Sequence, residues 1–217
     1  MKKLKSKQLT AGFTLIETLV IAIIIGVLAA IATPSWIRFI NQQRINTAND
    51  AILRAIQDTQ REAKTRKLDY SISFRNIITP QGTVPQFNIY PDNPNINLTP
   101  SPPPNNWQNL NKDLDLKPGE VILGTNLRTN PNDRNKAITN DEYASSSNQT
   151  INFDHRGILH PITKPELGNQ GLNNQGLIIT VAIPQANNPL QPITSTVRCV
   201  KVKTLLGALQ TESDDSC

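Results

Sequence analysis

From Phe13 to Ala32 every residue is apolar or small except Thr14, Glu17 and Thr18. A run of about twenty such residues is long enough to cross a bilayer as a helix. Lys2, Lys3, Lys5 and Lys7 precede it, and only Arg38 and Arg44 follow closely. That Lys/Arg bias places the N-terminus in the cytoplasm and the bulk of the chain on the far side, a single pass. Trp36 and Phe39 stand where an interfacial aromatic belt is expected. Glu17 is the anomaly, because a carboxylate in a membrane helix costs on the order of 3 kcal/mol on insertion scales. A secretory signal peptide is cut after its apolar region. Here a Gly12-Phe13 junction comes before the region, so a cut there leaves the helix on the mature protein.

A short basic leader, Gly12, Phe13 and then Glu17 four residues on: this pattern resembles the prepilin signal of type IV pilins. The resemblance implies that residues 1–12 are a leader removed by a prepilin peptidase between Gly12 and Phe13. It implies N-methylation of Phe13 as the new N-terminus, a helix kink at Pro34, and a helix half from 13 to 40 that serves as membrane anchor and filament core. It implies as partners other pilins or pseudopilins and an inner-membrane assembly platform. The location implied is the bacterial inner membrane, with the C-terminal domain in the periplasm, and then a pilus or pseudopilus. Glu17 lies one turn from Phe13 and favours the positive end of its own helix. In a filament, the resemblance implies, it pairs with the Phe13 amine of a neighbouring subunit, which offsets part of the burial cost and sets the stagger between helices. The alternative is an ordinary signal anchor with an incidental Glu17.

The helix is expected to continue past the membrane, from about Phe13 to about Lys67, roughly 80 Å at 1.5 Å per residue. Beyond Pro34 the apolar residues Ile37, Ile40, Ile45, Ala48, Ile52, Ala55, Ile56 and Ala63 recur at steps that mark one helical face. Asp50 with Arg54, and Asp58 and Glu62 with Arg61, mark a solvated side. This amphipathic half, 41–68, needs a domain to cover it. Pro34 removes a donor and crowds the Ala30 carbonyl, so a kink or local melting is expected there.

After Leu68 the period changes to two. Tyr70, Ile72 and Phe74 alternate with Ser71, Ser73 and Arg75, and Gln86 to Tyr90 reads the same way. Further strands are expected at Val121–Leu123, Ile151–Phe153, Leu177–Ile183, Thr196–Lys203 and Ala208–Thr211. Residues 91–106 are rich in Pro and Asn and are expected as a surface loop. The polar segments 126–148 and 164–175 are also expected as loops. The fold class is therefore α+β: a long N-terminal helix packed on an antiparallel β domain, 69–217. Ile151-Asn-Phe-Asp-His-Arg-Gly157, and Arg198-Cys-Val-Lys-Val202 followed by Thr204-Leu-Leu-Gly-Ala208, resemble the strand-Gly segment and closing hairpin of GspH/FimT-type pseudopilins. The Pro-rich insert and the acidic tail after Gly207 depart from that pattern.

No catalytic constellation, metal site or cofactor is expected. His155 and His160 flank a turn with only Asp154 and Glu166 near them. No serine sits in a nucleophile elbow. Gly168, Gly171 and Gly176 make no phosphate fingerprint. The chain's net charge of +5 owes four units to the leader lysines, so it is weak evidence for an acidic partner. Cys199 and Cys217 are the only cysteines. On the exported side a disulfide between them is expected, with two unrelated thiols as the alternative. The function expected is structural, a minor pilin or pseudopilin of a type IV pilus or a type II secretion pseudopilus. The alternative is a DNA-binding tip subunit using Arg198, Lys201 and Lys203, against which Glu212, Asp214 and Asp215 count.

Overall fold

In the computed structural model the described residues are 12–92, 105–110, 116–127, 135, 137–142, 149–160 and 176–217. The leader up to residue 11, residues 93–104 of the Pro/Asn-rich stretch, Glu166 and most of the two expected polar loops lie outside them. The chain divides into two compact units, Met1–Ile40 and Asn41–Cys217.

In the first unit the described residues from Leu15 onward are helical, as the start of α1 (Leu15–Arg66). This part is long and apolar enough to span a membrane, and none of that span is buried. Ile16, Ile23, Ile25, Leu28 and Ile31 are each more than half exposed. α1 is unbroken at Pro34, so the local melting expected there does not occur. Nearby hydroxyls bond back to the helix: Thr33 Oγ1 donates to the Ala29 carbonyl at 2.6 Å and Ser35 Oγ to the Ala32 carbonyl at 2.9 Å. Neither bond goes to the Ala30 carbonyl, which Pro34 leaves without its helical donor, and back-bonding of this kind tends to bend a helix rather than break it.

In the second unit the remainder of α1 buries one stripe: Ile45, Ala48, Ile52, Ala55, Ile56 and Ala63, all 5% exposed or less. The expected ion pairs appear in part. Asp58 meets Arg61 at 3.1 Å as expected, but Glu62 pairs with Arg66 at 2.5 Å instead of Arg61, and Asp50 and Arg54 form no pair among the described residues. The strands are β1 (Tyr70–Thr79), β2 (Gly82–Pro91), β3 (Gln108–Asn109), β4 (Ile122–Leu127), β5 (Ala137–Glu142), β6 (Gln149–Phe153), β7 (Leu177–Ala182), β8 (Pro184–Gln185), β9 (Asn188–Pro192), β10 (Arg198–Val202) and β11 (Leu209–Ser213). They form one sheet in the order β3-β2-β1-β6, a second in the order β11-β10-β7-β4-β5, and a β8-β9 ribbon. The pairings are antiparallel. The architecture is thus α+β, an apolar N-terminal helix followed by antiparallel sheets.

The helix stripe joins Tyr70, Ile72, Phe74, Ile151, Phe153, Leu177, Ile179, Val181, Val200 and Val202 in one core. These residues alternate along β1, β6, β7 and β10, which is why both sheets present an apolar face to one helix. The other face of β1 is polar and also buried: Ser71 and Ser73 are fully covered. Ser73 Oγ is 2.9 Å from Tyr90 Oη and 2.6 Å from Thr150 Oγ1. Asn152 Nδ2 donates to Ser71 Oγ at 3.0 Å and to the Asp92 carboxylate. Burial pushes the Tyr90 phenol up, against the opposing pull of its Ser73 bond. Polar groups hidden in this way are tolerated because they bond to one another.

Two differences from the sequence expectations have a physical cause. β5 falls within the span 126–148 expected as loop, because pairing with β4 on the sheet edge supplies hydrogen bonds that Ala137–Glu142 does not advertise by hydrophobic alternation. The β8-β9 ribbon was unexpected because it carries Pro184, Pro189 and Pro192, which weaken a strand signal but are allowed at sheet edges. The β1-β2 turn packs closely on the segment at Gly119. Gly82 has φ +130°, and a Cβ there would lie 2.8 Å from Gly119 Cα.

Candidate functional site

The N-terminal junction is built from Gly12, Phe13 and the first turn of α1. Gly12 and Phe13 precede the helix and are exposed, Phe13 by 75%. Glu17 is in the first turn of α1. Its backbone N–H donates to Thr14 Oγ1 at 3.3 Å. With α1 starting at Leu15, Thr14 is the N-cap and Glu17 the third helical residue, which is the Thr-x-x-Glu capping spacing. Thr14 was missed by sequence reasoning, although that spacing signals it. Glu17 therefore has a local role at the positive end of its own helix, independent of any second chain.

The C-terminal cysteines are joined. Cys199 on β10 and Cys217 form a disulfide, and Cys199 is fully buried. The bond pins the tail beside β10, where the proposed nucleic-acid cations also lie. All three of those cations are occupied. Arg198 Nη1 contacts Asp214 Oδ1 at 3.0 Å, Lys201 Nζ contacts Glu212 Oε2 at 2.7 Å, and Lys203 Nζ contacts Glu212 Oε1 at 2.9 Å. Lys201 is 7% exposed and also donates to the Ser216 carbonyl. A lysine is buried only when it is paired. Hydrogen bonds from Lys201, then from Lys203, hold the Glu212 carboxyl below its ordinary range. The register explains the pairing, since Cys199 stands opposite Glu212 and Lys201 opposite Gln210 across β10-β11.

His155 and His160 converge on a residue the sequence did not single out, Asp69. His155 Nδ1 is 3.9 Å from Asp69 Oδ1, and His160 Nε2 is 3.5 Å from Asp69 Oδ2. Asp69 Oδ1 also accepts the His155 backbone N–H at 3.0 Å, so it closes the turn after β6. Asp154 does the same from within the turn. It accepts the N–H groups of Arg156 and Ile158 at 2.9 and 3.1 Å, and Arg156 Nε at 2.9 Å. Burial raises the Asp154 carboxyl, but the bonds from Arg156 and Ile158 outweigh it and the net direction is down. Among the described residues no three His, Cys, Asp or Glu side chains gather as a metal-holding group. These contacts stabilise a turn.

Set beside known proteins, the chain matches no family model, no curated protein and no solved structure, so its own residues carry the functional argument.

Proposed function

We propose that this chain is a non-enzymatic minor pilin or pseudopilin, a structural subunit of a type IV pilus or a type II secretion pseudopilus. In this reading it is inserted in the bacterial inner membrane, cut after Gly12 by a prepilin peptidase, methylated at Phe13 and assembled through an inner-membrane platform with other pilins or pseudopilins. The observation that carries it is a single helix with two characters: its first half is apolar and bare, and its second half is the core stripe of a β domain. An exposed, non-helical Gly12-Phe13 junction just ahead of Glu17 supports it further, because a peptidase needs access to extended chain.

The test is intact mass and N-terminal sequencing of protein from sheared filaments and from membranes. A chain beginning at methylated Phe13 in filaments is the expected result. A chain beginning at Met1 in every fraction sinks the proposal. Gly12→Val is expected to block removal of the leader. Glu17→Ala is expected to give cleaved protein that stays out of filaments, whereas Thr14→Ala, which removes only the cap, is expected to assemble. If both variants fail alike, capping rather than inter-chain pairing explains Glu17.

No observation favours the DNA-binding alternative. Phosphate neutralisation needs available clustered cations, and Arg198, Lys201 and Lys203 are engaged by Asp214 and Glu212.

A further inference from the structure

The second unit carries a groove of about 820 Å³ between α1 and the edge formed by β2 and β3. Its volume lies within the range of small-molecule sites. The wall from α1 holds Arg54 and Asp58, one turn apart, and the opposite wall holds Phe87, Trp107, Gln108 and Asn109. Arg54, Asp58, Gln108 and Asn109 are exposed, while Phe87 and Trp107 are half-buried. An open groove rimmed by amides and charges does not suit an apolar ligand, since those groups would lose water without replacement.

The polar rim is held in place from behind. Arg75 on β1, which is not part of the groove wall, stacks its guanidinium 3.8 Å from the centroid of the Trp107 ring. Arg75 Nε donates to Gln86 Oε1 at 2.9 Å, and Gln86 Nε2 donates to Asn109 Oδ1 at 2.5 Å. This chain across β1, β2 and β3 fixes Trp107 and orients the Asn109 amide, leaving Asn109 Nδ2 as a donor. Asp58 is neutralised by Arg61 at 3.1 Å. Arg54 has no carboxylate partner among the described residues, so among them the positive charge of the groove wall is left uncompensated. A fixed indole offers a face or edge to the C–H surface of a sugar ring. The amides suit hydroxyls, and a guanidinium suits a carboxylate through paired hydrogen bonds.

We propose that this groove binds an acidic saccharide, with Trp107 against the sugar ring, Gln108 and Asn109 on its hydroxyls and Arg54 on its carboxylate. This proposal does not depend on the filament reading.

The test uses the full chain in a zwitterionic detergent that carries no sugar, so that the micelle does not compete. Trp36→Phe leaves Trp107 as the sole tryptophan, because the chain has two. Trigalacturonate, galactotriose and pentaglutamate are titrated and read by Trp107 fluorescence. Trigalacturonate is expected to give a saturable change with an affinity at least about tenfold above that of galactotriose. Arg54→Gln is expected to remove that tenfold preference, and Asn109→Ala to weaken both sugars. Absence of any saturable change with trigalacturonate, equal affinity for the two sugars, or an unaffected Arg54→Gln variant each overturns the proposal. Pentaglutamate binding as tightly as trigalacturonate overturns it too, since charge alone would then account for the affinity.

Discussion

Asp154 shows how one carboxylate organises a turn that the chain must make to leave β6. Three donors converge on it, and its pKa lies below the ordinary carboxylate range. A group whose folded pKa is depressed contributes stability that is complete above its unfolded value, about 3.9, and is lost as pH falls through the lower folded value. Asp154→Asn is therefore expected to cost on the order of 1–2 kcal/mol at neutral pH. The gap from the parent should close as pH is lowered below about 4. Urea unfolding of both proteins at several pH values measures it, and a pH-independent gap would mean that the turn depends on shape and not on charge. At the same scale, Asp69 meeting His155 and His160 was illegible in sequence, because it lies before β1 and the histidines follow β6. Only the β1-β6 pairing brings them together.

At the scale of elements, α1 owes its second half to packing. Its polar face offers only weak ion pairs, whereas Ile52 and Ile56 are at most 1% exposed within the main core. Ile52→Ala removes three methyl-sized groups from a closed site and is expected to cost about 2–5 kcal/mol. Truncating Ile37, which is 54% exposed, serves as the control and should leave the unfolding midpoint unchanged. The β1-β2 hairpin makes a separate demand. Gly82→Ala puts a methyl group 2.8 Å from the backbone of Gly119 at a positive φ, so the turn must move. A loss of about 2–3 kcal/mol is expected from strain and displaced packing. An alanine variant as stable as the parent would mean that the 117–120 segment yields freely.

For the whole molecule, the disulfide ties the last residue of the chain into the second sheet. Cys199 and Cys217 are 18 residues apart. Closing a loop of that length contributes about 3 kcal/mol in the chain-entropy account. The double variant Cys199→Ala with Cys217→Ala is expected to lose about that much stability, and reductant is expected to lower the parent but not the variant. Guanidinium unfolding with and without reductant measures both. The same loop contains Lys201, Glu212 and Ser216, so the variant should also loosen the tail over Lys201, seen as faster amide exchange at residues 212–216.

The helical stripe from Ile45 to Ala63 and the alternation at Tyr70–Phe74 were legible because each is a local periodicity, and the apolar run with Glu17 because its length and composition mark a membrane-length helix without any period. The cysteine pair was legible because there are only two. β5 and the β8-β9 ribbon were not, since edge strands draw their stability from a neighbour's hydrogen bonds and advertise little in their own side chains. Nor was it legible that the polar face of β1 would be buried, or that Arg198, Lys201 and Lys203 would be neutralised by the acids beyond them. Those outcomes depend on which strands become neighbours. By itself the sequence determined that this chain has an apolar helix of membrane length, an amphipathic continuation and a β-rich remainder. Tertiary structure alone decided which charges remain available and where a groove opens, because both are set by register and contact between residues far apart in the chain.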